Sequence, residues 1–393
     1  MTNTTPWGIL TGIRPAKIAT KHLLEGKTAT QVARIFEEEY GCLPQKANLV
    51  AEVAKAELPI RKNMYKDGVS VYIGIPFCPT RCLYCSFVTC GTRQAAKLMD
   101  SYIECLEKEI SYTAEILKSN GNKIETLYIG GGTPTTLTPD LLDRLITHIY
   151  NEFDLEFLRE FTVEAGRPDT VTKEKLEILK KHRVSRISIN PQSMNDETLK
   201  IIGRNHTPKQ IKDAFYLARE CGFDNINMDV IAGLPGETVG MFKKTLEEVE
   251  ALSPENTTVH VMSIKRSSRL HEYLEEYQLP KGETVSQMVD FAYEFLKSKG
   301  KHPYYMYRQK NQLGNLENVG YSKDGFDNLY NIYIMEEIQS IISLGCGGVT
   351  KTVDRETDRI ERIFNVKEPK DYIERIDEML SRKDELKNIK RSQ

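Results

Sequence analysis

The chain predicts an α/β fold: a partial (β/α)6 barrel over residues 69–265, preceded by an N-terminal helical segment over 1–68 and followed by a C-terminal α+β extension over 266–393. Two observations predict it. From Ser70 to Met262, six short β-branched runs alternate with helix-patterned stretches, and strands separated by helices pair in parallel through right-handed crossovers. The end of almost every run also carries a glycine or a polar residue, and a barrel gathers its active-site groups at the carboxyl ends of its strands.

In the first segment, Pro15 starts a helix, Thr28 and Thr30 introduce a second that runs through Tyr40, and Asn48 to Lys62 forms a third, with Gly41 as a stop after the second. Trp7, beside two glycines and an Arg-Pro, reads as a packing residue. The core then alternates SVYIGI with a helix around Gln94 to Lys118, IETLYIG with Pro139 to Tyr150, and EFTVEA with Lys173 to Lys181. VSRISIN is followed by Asp196 to Ile202 and Pro208 to Cys221, INMDVI by Val239 to Ala251, and TTVHVM closes the series. Thr138-Pro139 has the form of an N-cap followed by proline in the first turn, and Gly121 and Gly222 stand where helices end. Beyond Met262, Leu270 to Tyr277 and Ser286 to Lys299 read as helices, KHPYYMYR (301–308) as a strand, and Lys367 to Gln393 as a charged amphipathic helix.

Of the 393 residues, 40% are apolar and 28% charged, enough apolar material for a large core. A net charge of −2 excludes a dominant nucleic-acid footprint or a basic membrane patch. No apolar run approaches the ~20 residues that cross a bilayer. The N-terminus MTNTTPWGIL lacks a basic stretch leading into a long apolar one, so a cytoplasmic protein is expected. Five of the eight cysteines (Cys42, Cys90, Cys105, Cys221, Cys346) are scattered and form no disulfide framework.

The other three are clustered. In SVYIGIPFCPTRCLYC, an apolar run delivers Cys78, Cys82 and Cys85 onto a short loop. Structural zinc takes four protein ligands, and no second cysteine pair follows at suitable spacing. Three thiolates on a cubane iron–sulfur cluster leave one iron open to bind and reduce something. The spacing alone also suits another redox or metal site.

The CxxxCxxC loop, with Tyr84 before its third cysteine and Gly131-Gly132-Thr133-Pro134 at the end of the next strand, resembles the radical S-adenosylmethionine (SAM) superfamily. The resemblance implies a 4Fe–4S cluster on Cys78, Cys82 and Cys85 whose open iron chelates SAM, reductive cleavage of the sulfonium, and a 5′-deoxyadenosyl radical. It also implies a low-potential electron donor such as flavodoxin or ferredoxin. More narrowly, YIGIPFCPTRCLYC, YIGGGTPTTL, TVEAGRPD, ISINPQSMNDETLKIIGRNHT and INMDVIAGLPGET together resemble the oxygen-independent coproporphyrinogen III oxidase family. That family includes coproporphyrinogen dehydrogenases, related haem chaperones and anaerobic haem-degrading enzymes. By this resemblance Tyr72, Gly131, Gly132, Thr133, Glu164, Gln192, Arg204 and Asp229 contact SAM. YYMYRQKNQLGNLENVGY and LGCGGV resemble the C-terminal part of its HemZ-like coproporphyrinogen dehydrogenase branch.

Two positions depart from the family pattern. Gly74 stands where much of the family has His, and Phe87 stands where better-characterised oxidases carry another Cys, a feature shared with the chaperone-like branch. The oxidase reaction takes a hydrogen from the β-carbon of a propionate, releases carbon dioxide, passes an electron to an acceptor and leaves a vinyl group. Two rounds convert coproporphyrinogen III to protoporphyrinogen IX. An apolar macrocycle fringed by carboxylates needs aromatic walls and cationic clamps. Tyr304, Tyr305, Tyr307 and Tyr321, with Arg266, Arg308 and Lys310, have that composition, and residues 266–393 are expected to cap the barrel. Cys90 reads as a loop or core thiol, Cys346 as a tight-turn neighbour, and His206 and His260 as rim residues without an evident carboxylate partner.

Overall fold

A computed structural model describes residues 5–12, 14–87, 90–91, 96–355 and 357–388. One mixed sheet dominates it. In chain order its strands are β1 (Gly68–Ile75), β2 (Lys123–Gly131), β3 (Glu160–Glu164), β4 (Arg186–Ser188), β5 (Ile226–Ala232), β6 (Asn256–Val261), β7 (His302–Tyr307), β8 (Asn318–Ser322), β9 (Ser340–Leu344), β10 (Val349–Val353) and β11 (Ile360–Phe364). Across the sheet the order is β11-β10-β9-β1-β2-β3-β4-β5-β6-β8-β7. The six expected strands lie side by side in sequence order, all parallel.

The region after residue 265 extends this sheet at both edges. β8 and β7 add antiparallel strands beyond β6, while β9 pairs in parallel with β1 and carries the β10–β11 hairpin. Of these five strands only β7 was evident in the sequence. The helix expected from Gln94 is described from Met99 to Asn120, and its start at Gln94 lies outside the described residues. The tail forms two short helices, Pro369–Glu374 and Ile376–Lys383, with 389–393 outside the described residues.

Period-2 alternation sorts the strands into two faces. Val69, Val71, Ile73 and Ile75 of β1, Leu127 and Ile129 of β2, Phe161 and Val163 of β3, and Met228 and Val230 of β5 join the main core beneath the surrounding helices. The alternate residues turn the other way: Ser70 meets Thr126, Tyr72 meets Tyr128, Tyr128 meets Glu164 and Asn227 meets Asp229, while Glu160 accepts from the amides of Leu329 and Tyr330. Several helices that follow strands begin with a threonine N-cap, at Thr138, Thr172, Thr207 and Thr238. Each cap satisfies an amide that the first turn leaves free.

The N-terminal segment forms helices Pro15–Leu24, Ala29–Glu38 and Pro44–Lys62. It is fastened to Glu317, the residue just before β8. Trp7 is buried and donates from Nε1 to Glu317 Oε2 at 2.7 Å, and buried Lys46 donates to Glu317 Oε1 at 2.6 Å. No helix of the described residues is long and apolar enough to cross a membrane.

Candidate active site at the carboxyl rim

β1 ends at Ile75, Pro76 follows it, and Phe77–Cys78 pairs in parallel with Cys90–Gly91, which closes the base of the cysteine loop; the Cys90 side chain lies outside the described atoms. The loop leans on two other segments. Leu83 N–H donates to Ile202 O at 3.0 Å and Thr80 Oγ1 to Gly203 O at 3.0 Å, while Leu270 N–H donates to Leu83 O at 2.9 Å. Burial pushes the Cys78 thiol up to about 11, with Cys82 and Cys85 adding to the rise, and burial raises Cys85 as well.

Cys82 is buried and Cys78 and Cys85 are half-buried beside it. Among the described residues no set of three His, Cys, Asp or Glu side chains already converges as a metal site. Metal sites take their final shape on binding, when thiols lose their protons. Two guanidinium groups face the loop and suit the negative charge that three thiolates carry. Arg167 Nη1 lies 3.9 Å from Cys82 Sγ. Arg204 is held above its ordinary pKa, because neighbouring Tyr84 and Cys82 outweigh the opposing effect of burial.

The glycines of GGGTP have a packing reason. Gly132 N–H donates to Ile75 O at 2.7 Å and Thr133 N–H to Phe77 O at 2.8 Å, so this strand end is zipped onto the chain entering the loop. A Cβ on Gly132 would stand 2.7 Å from Phe77 O and 2.9 Å from Ile75 O. Gly131, at φ +107°, would bring a Cβ within 3.3 Å of the Tyr72 hydroxyl. Thr133 completes the joint, its Oγ1 3.3 Å from Cys78 Sγ.

Inside the rim, Tyr72, Tyr128 and Tyr330 stack, with Tyr128 and Tyr330 ring centroids 4.5 Å apart. Tyr128 donates to Glu164 Oε1 at 2.6 Å. Burial pushes Glu164 up to about 7 against that bond, and Asp229 adds to the rise. Asp229 goes the other way. Burial raises it, but His260, Asn227 and Thr258 together hold it below the ordinary value. Asn227 Nδ2 lies 2.7 Å from Asp229 Oδ1 and His260 Nε2 3.7 Å from Oδ2, so His260 does have a carboxylate partner, supplied by the adjacent strand. Tyr307 OH stands 3.3 Å from His260 Nδ1.

Gln192 sits beyond β4 with φ +64°, held by a bond from its N–H to Asp229 O, and its buried Oε1 has no partner. Arg204 Nη1 donates to Asn190 O at 2.6 Å and Gly166 O at 3.3 Å. His206, also buried, is pushed down to about 4 by burial and by Arg204 and Arg167. Cys78, Cys82, Cys85, Tyr72, Gly131, Gly132, Thr133, Glu164, Gln192, Arg204 and Asp229 thus belong to one contiguous rim.

The expected substrate residues divide. Tyr304, Tyr305 and Tyr307 line the inner face, where a bulge opposite Gly320 and Tyr321 sends consecutive Tyr304 and Tyr305 into the same cluster. Tyr304 and Tyr305 are nearly fully buried, and Tyr307 reaches the rim through His260. Tyr321 does not belong with them: it is fully buried in the main core on the other face of the sheet. Arg308 is also corrected, since its guanidinium is spent on Leu10 O at 2.8 Å, Asn315 O at 3.1 Å and the face of Trp7. Arg266 and Lys310 are exposed. Cys346 is a buried thiol between Gly345 and Gly347, both at positive φ, at the carboxyl end of β9.

Arg167, Tyr128 and Tyr330 escaped the sequence reading. Strand alternation puts Tyr128 on the Glu164 face, and Arg167 lies within TVEAGRPD. Nothing local marks Tyr330.

The chain matches the Radical SAM superfamily over residues 72–249. It is 46% identical over 377 residues to the oxygen-independent coproporphyrinogen-III oxidase-like protein HemZ of Bacillus subtilis, covering 95% of this chain and 75% of that protein. It is 34% identical to the haem chaperone HemW of the same organism, over 60% of this chain and 62% of the relative. Among solved structures, the coproporphyrinogen III oxidase HemN of Escherichia coli superposes with a TM-score of 0.64 at 23% identity, over 83% of this chain and 73% of that one, a likeness of fold.

Proposed function

Since this chain belongs to the radical SAM superfamily and, within it, to the oxygen-independent coproporphyrinogen III oxidase family, we propose that it oxidatively decarboxylates coproporphyrinogen III to protoporphyrinogen IX. The family works with a 4Fe–4S cluster and SAM. The single observation that carries the reading is the joining of the C-terminal region to the rim, through Tyr307 on His260 and Tyr330 on Tyr128. The similarity to the oxidase-like relative spans 95% of this chain and so runs through that region.

Cys78, Cys82 and Cys85 would hold the cluster, which with SAM supplies the radical chemistry that removes a substrate hydrogen. The chain's own residues do the rest. Asp229, kept ionised by its neighbours, accepts from hydroxyl or amino groups, and the unpartnered Oε1 of Gln192 offers a second acceptor. Glu164, close to half-protonated near neutral pH, can accept or donate at the same edge. The tyrosine stack walls the inner side against water. Exposed Arg266 and Lys310, beyond β6 and β7, are the cations available to substrate carboxylates. The partners are a tetrapyrrole and a low-potential electron donor, in a reducing cytoplasm.

A second reading is a haem-binding chaperone or a haem-modifying enzyme. Phe87, exposed two residues past Cys85, favours the chaperone side. Anaerobic turnover of reconstituted, reduced protein with SAM and coproporphyrinogen III separates these. Loss of two carboxyl groups, seen by mass spectrometry and dependent on the three cysteines, supports decarboxylation. SAM cleavage without decarboxylation, in an assay validated with an active oxidase, overturns it and makes haem the next ligand to titrate.

A further inference from the structure

The cysteine loop is faced by a cation that the reading above leaves unused. Arg167 follows β3 and is 2% exposed. Its Nε and Nη2 donate to Asp169 Oδ1 and Oδ2 at 3.0 and 2.9 Å, a two-pronged clamp that fixes the guanidinium plane. The remaining nitrogen, Nη1, points into the loop, donating to Thr80 Oγ1 at 3.1 Å and Thr80 O at 3.4 Å and reaching Cys82 Sγ at 3.9 Å. The pair is lopsided: the Arg167 side chain is 3% exposed and that of Asp169 21%, so the anion is partly solvated while the cation faces the sulfur.

We infer that Arg167 is a positioning residue that holds a fixed positive charge and an N–H donor against Cys82 and thereby raises the reduction potential of the cluster carried by this loop. Reduction adds negative charge to the cluster. A buried cation at one ligand sulfur favours the reduced form, and hydrogen bonding to cluster sulfurs acts in the same direction. Arg204 shares the neighbourhood of Cys82 but is anchored on the carbonyls of Gly166 and Asn190. Arg167 alone of the two has a carboxylate, Asp169, that can be neutralised separately, which allows a test with two signs. The inference rests on the cluster and not on the tetrapyrrole.

The test is a redox titration, followed by electron paramagnetic resonance, of the full chain reconstituted anaerobically with iron and sulfide. In Arg167→Gln the reduced-to-oxidised ratio at the wild-type midpoint falls about tenfold, a shift of about 59 mV to lower potential for one electron. Asp169→Asn moves the midpoint the opposite way, and Arg167→Lys, which keeps the charge, stays close to wild type. Unchanged midpoints, or shifts of the same sign in Arg167→Gln and Asp169→Asn at full iron content, overturn the inference. Loss of iron in both Arg167→Gln and Arg167→Lys also overturns it, by making Arg167 a folding residue. A wild-type chain that takes up no cluster overturns the cluster reading itself.

Discussion

Tyr128 donates its hydroxyl proton to Glu164 Oε1 across 2.6 Å, from the middle of β2 to the last residue of β3. The pair joins the tyrosine stack to the carboxylates of the rim, and the burial of Glu164, which this bond only partly offsets, makes the rim sensitive to pH.

Glu164 has its pKa raised from 4.5 to about 7, chiefly by burial. Between those values the folded chain keeps a proton that the unfolded chain has released, so stability falls as pH rises through the window, and the full cost is felt above it. Glu164→Gln is expected to raise Tm at about pH 8 by about 2–4 °C relative to wild type and to make no difference at about pH 4. Thermal scans of the apo chain across pH check this. A gain that is the same at both ends counts against a titrating Glu164.

Cys82→Ala is expected to abolish the broad visible absorbance of the anaerobically reconstituted protein together with SAM cleavage; retention of both sinks the cluster assignment. Arg204→Ala is expected to leave the cluster in place and weaken SAM binding about tenfold or more, the scale of a lost charge-assisted hydrogen bond. Equilibrium binding measures it, and unchanged affinity removes Arg204 from the SAM site.

Gly132→Ala forces a methyl group onto the backbone oxygens of Ile75 and Phe77, which are also the acceptors that hold the joint together. We expect a loss of about 1–3 kcal/mol in urea unfolding and reduced iron uptake, because the displaced segment carries Cys78. Wild-type stability with wild-type iron content contradicts the packing role.

Tyr321→Phe removes a buried hydroxyl without a partner, so stability holds or rises while turnover is unchanged. Arg308→Ala is expected to loosen the N-terminal segment, which limited proteolysis reports, without changing KM. A raised KM in either variant returns that residue to the substrate site.

Much of this architecture is readable from the chain alone. The six central strands, the alternation that turns Tyr72, Glu164 and Asp229 inward, the threonine caps and the three-cysteine loop are all local. Each depends on steric preference, period or capping within one run of residues, so the sequence by itself determined them. Tertiary structure decided what meets across long separations. It seated β9 beside β1, gave His260 its carboxylate from β5, used a bulge to send Tyr304 and Tyr305 to one side while β8 buried Tyr321 on the other, engaged Arg308 with the carbonyl of Leu10, and brought Arg167 to Cys82. No local pattern carries such pairings. Which edge a strand joins, and which cation faces which sulfur, follows from burying the whole apolar surface while leaving few buried polar groups unpaired.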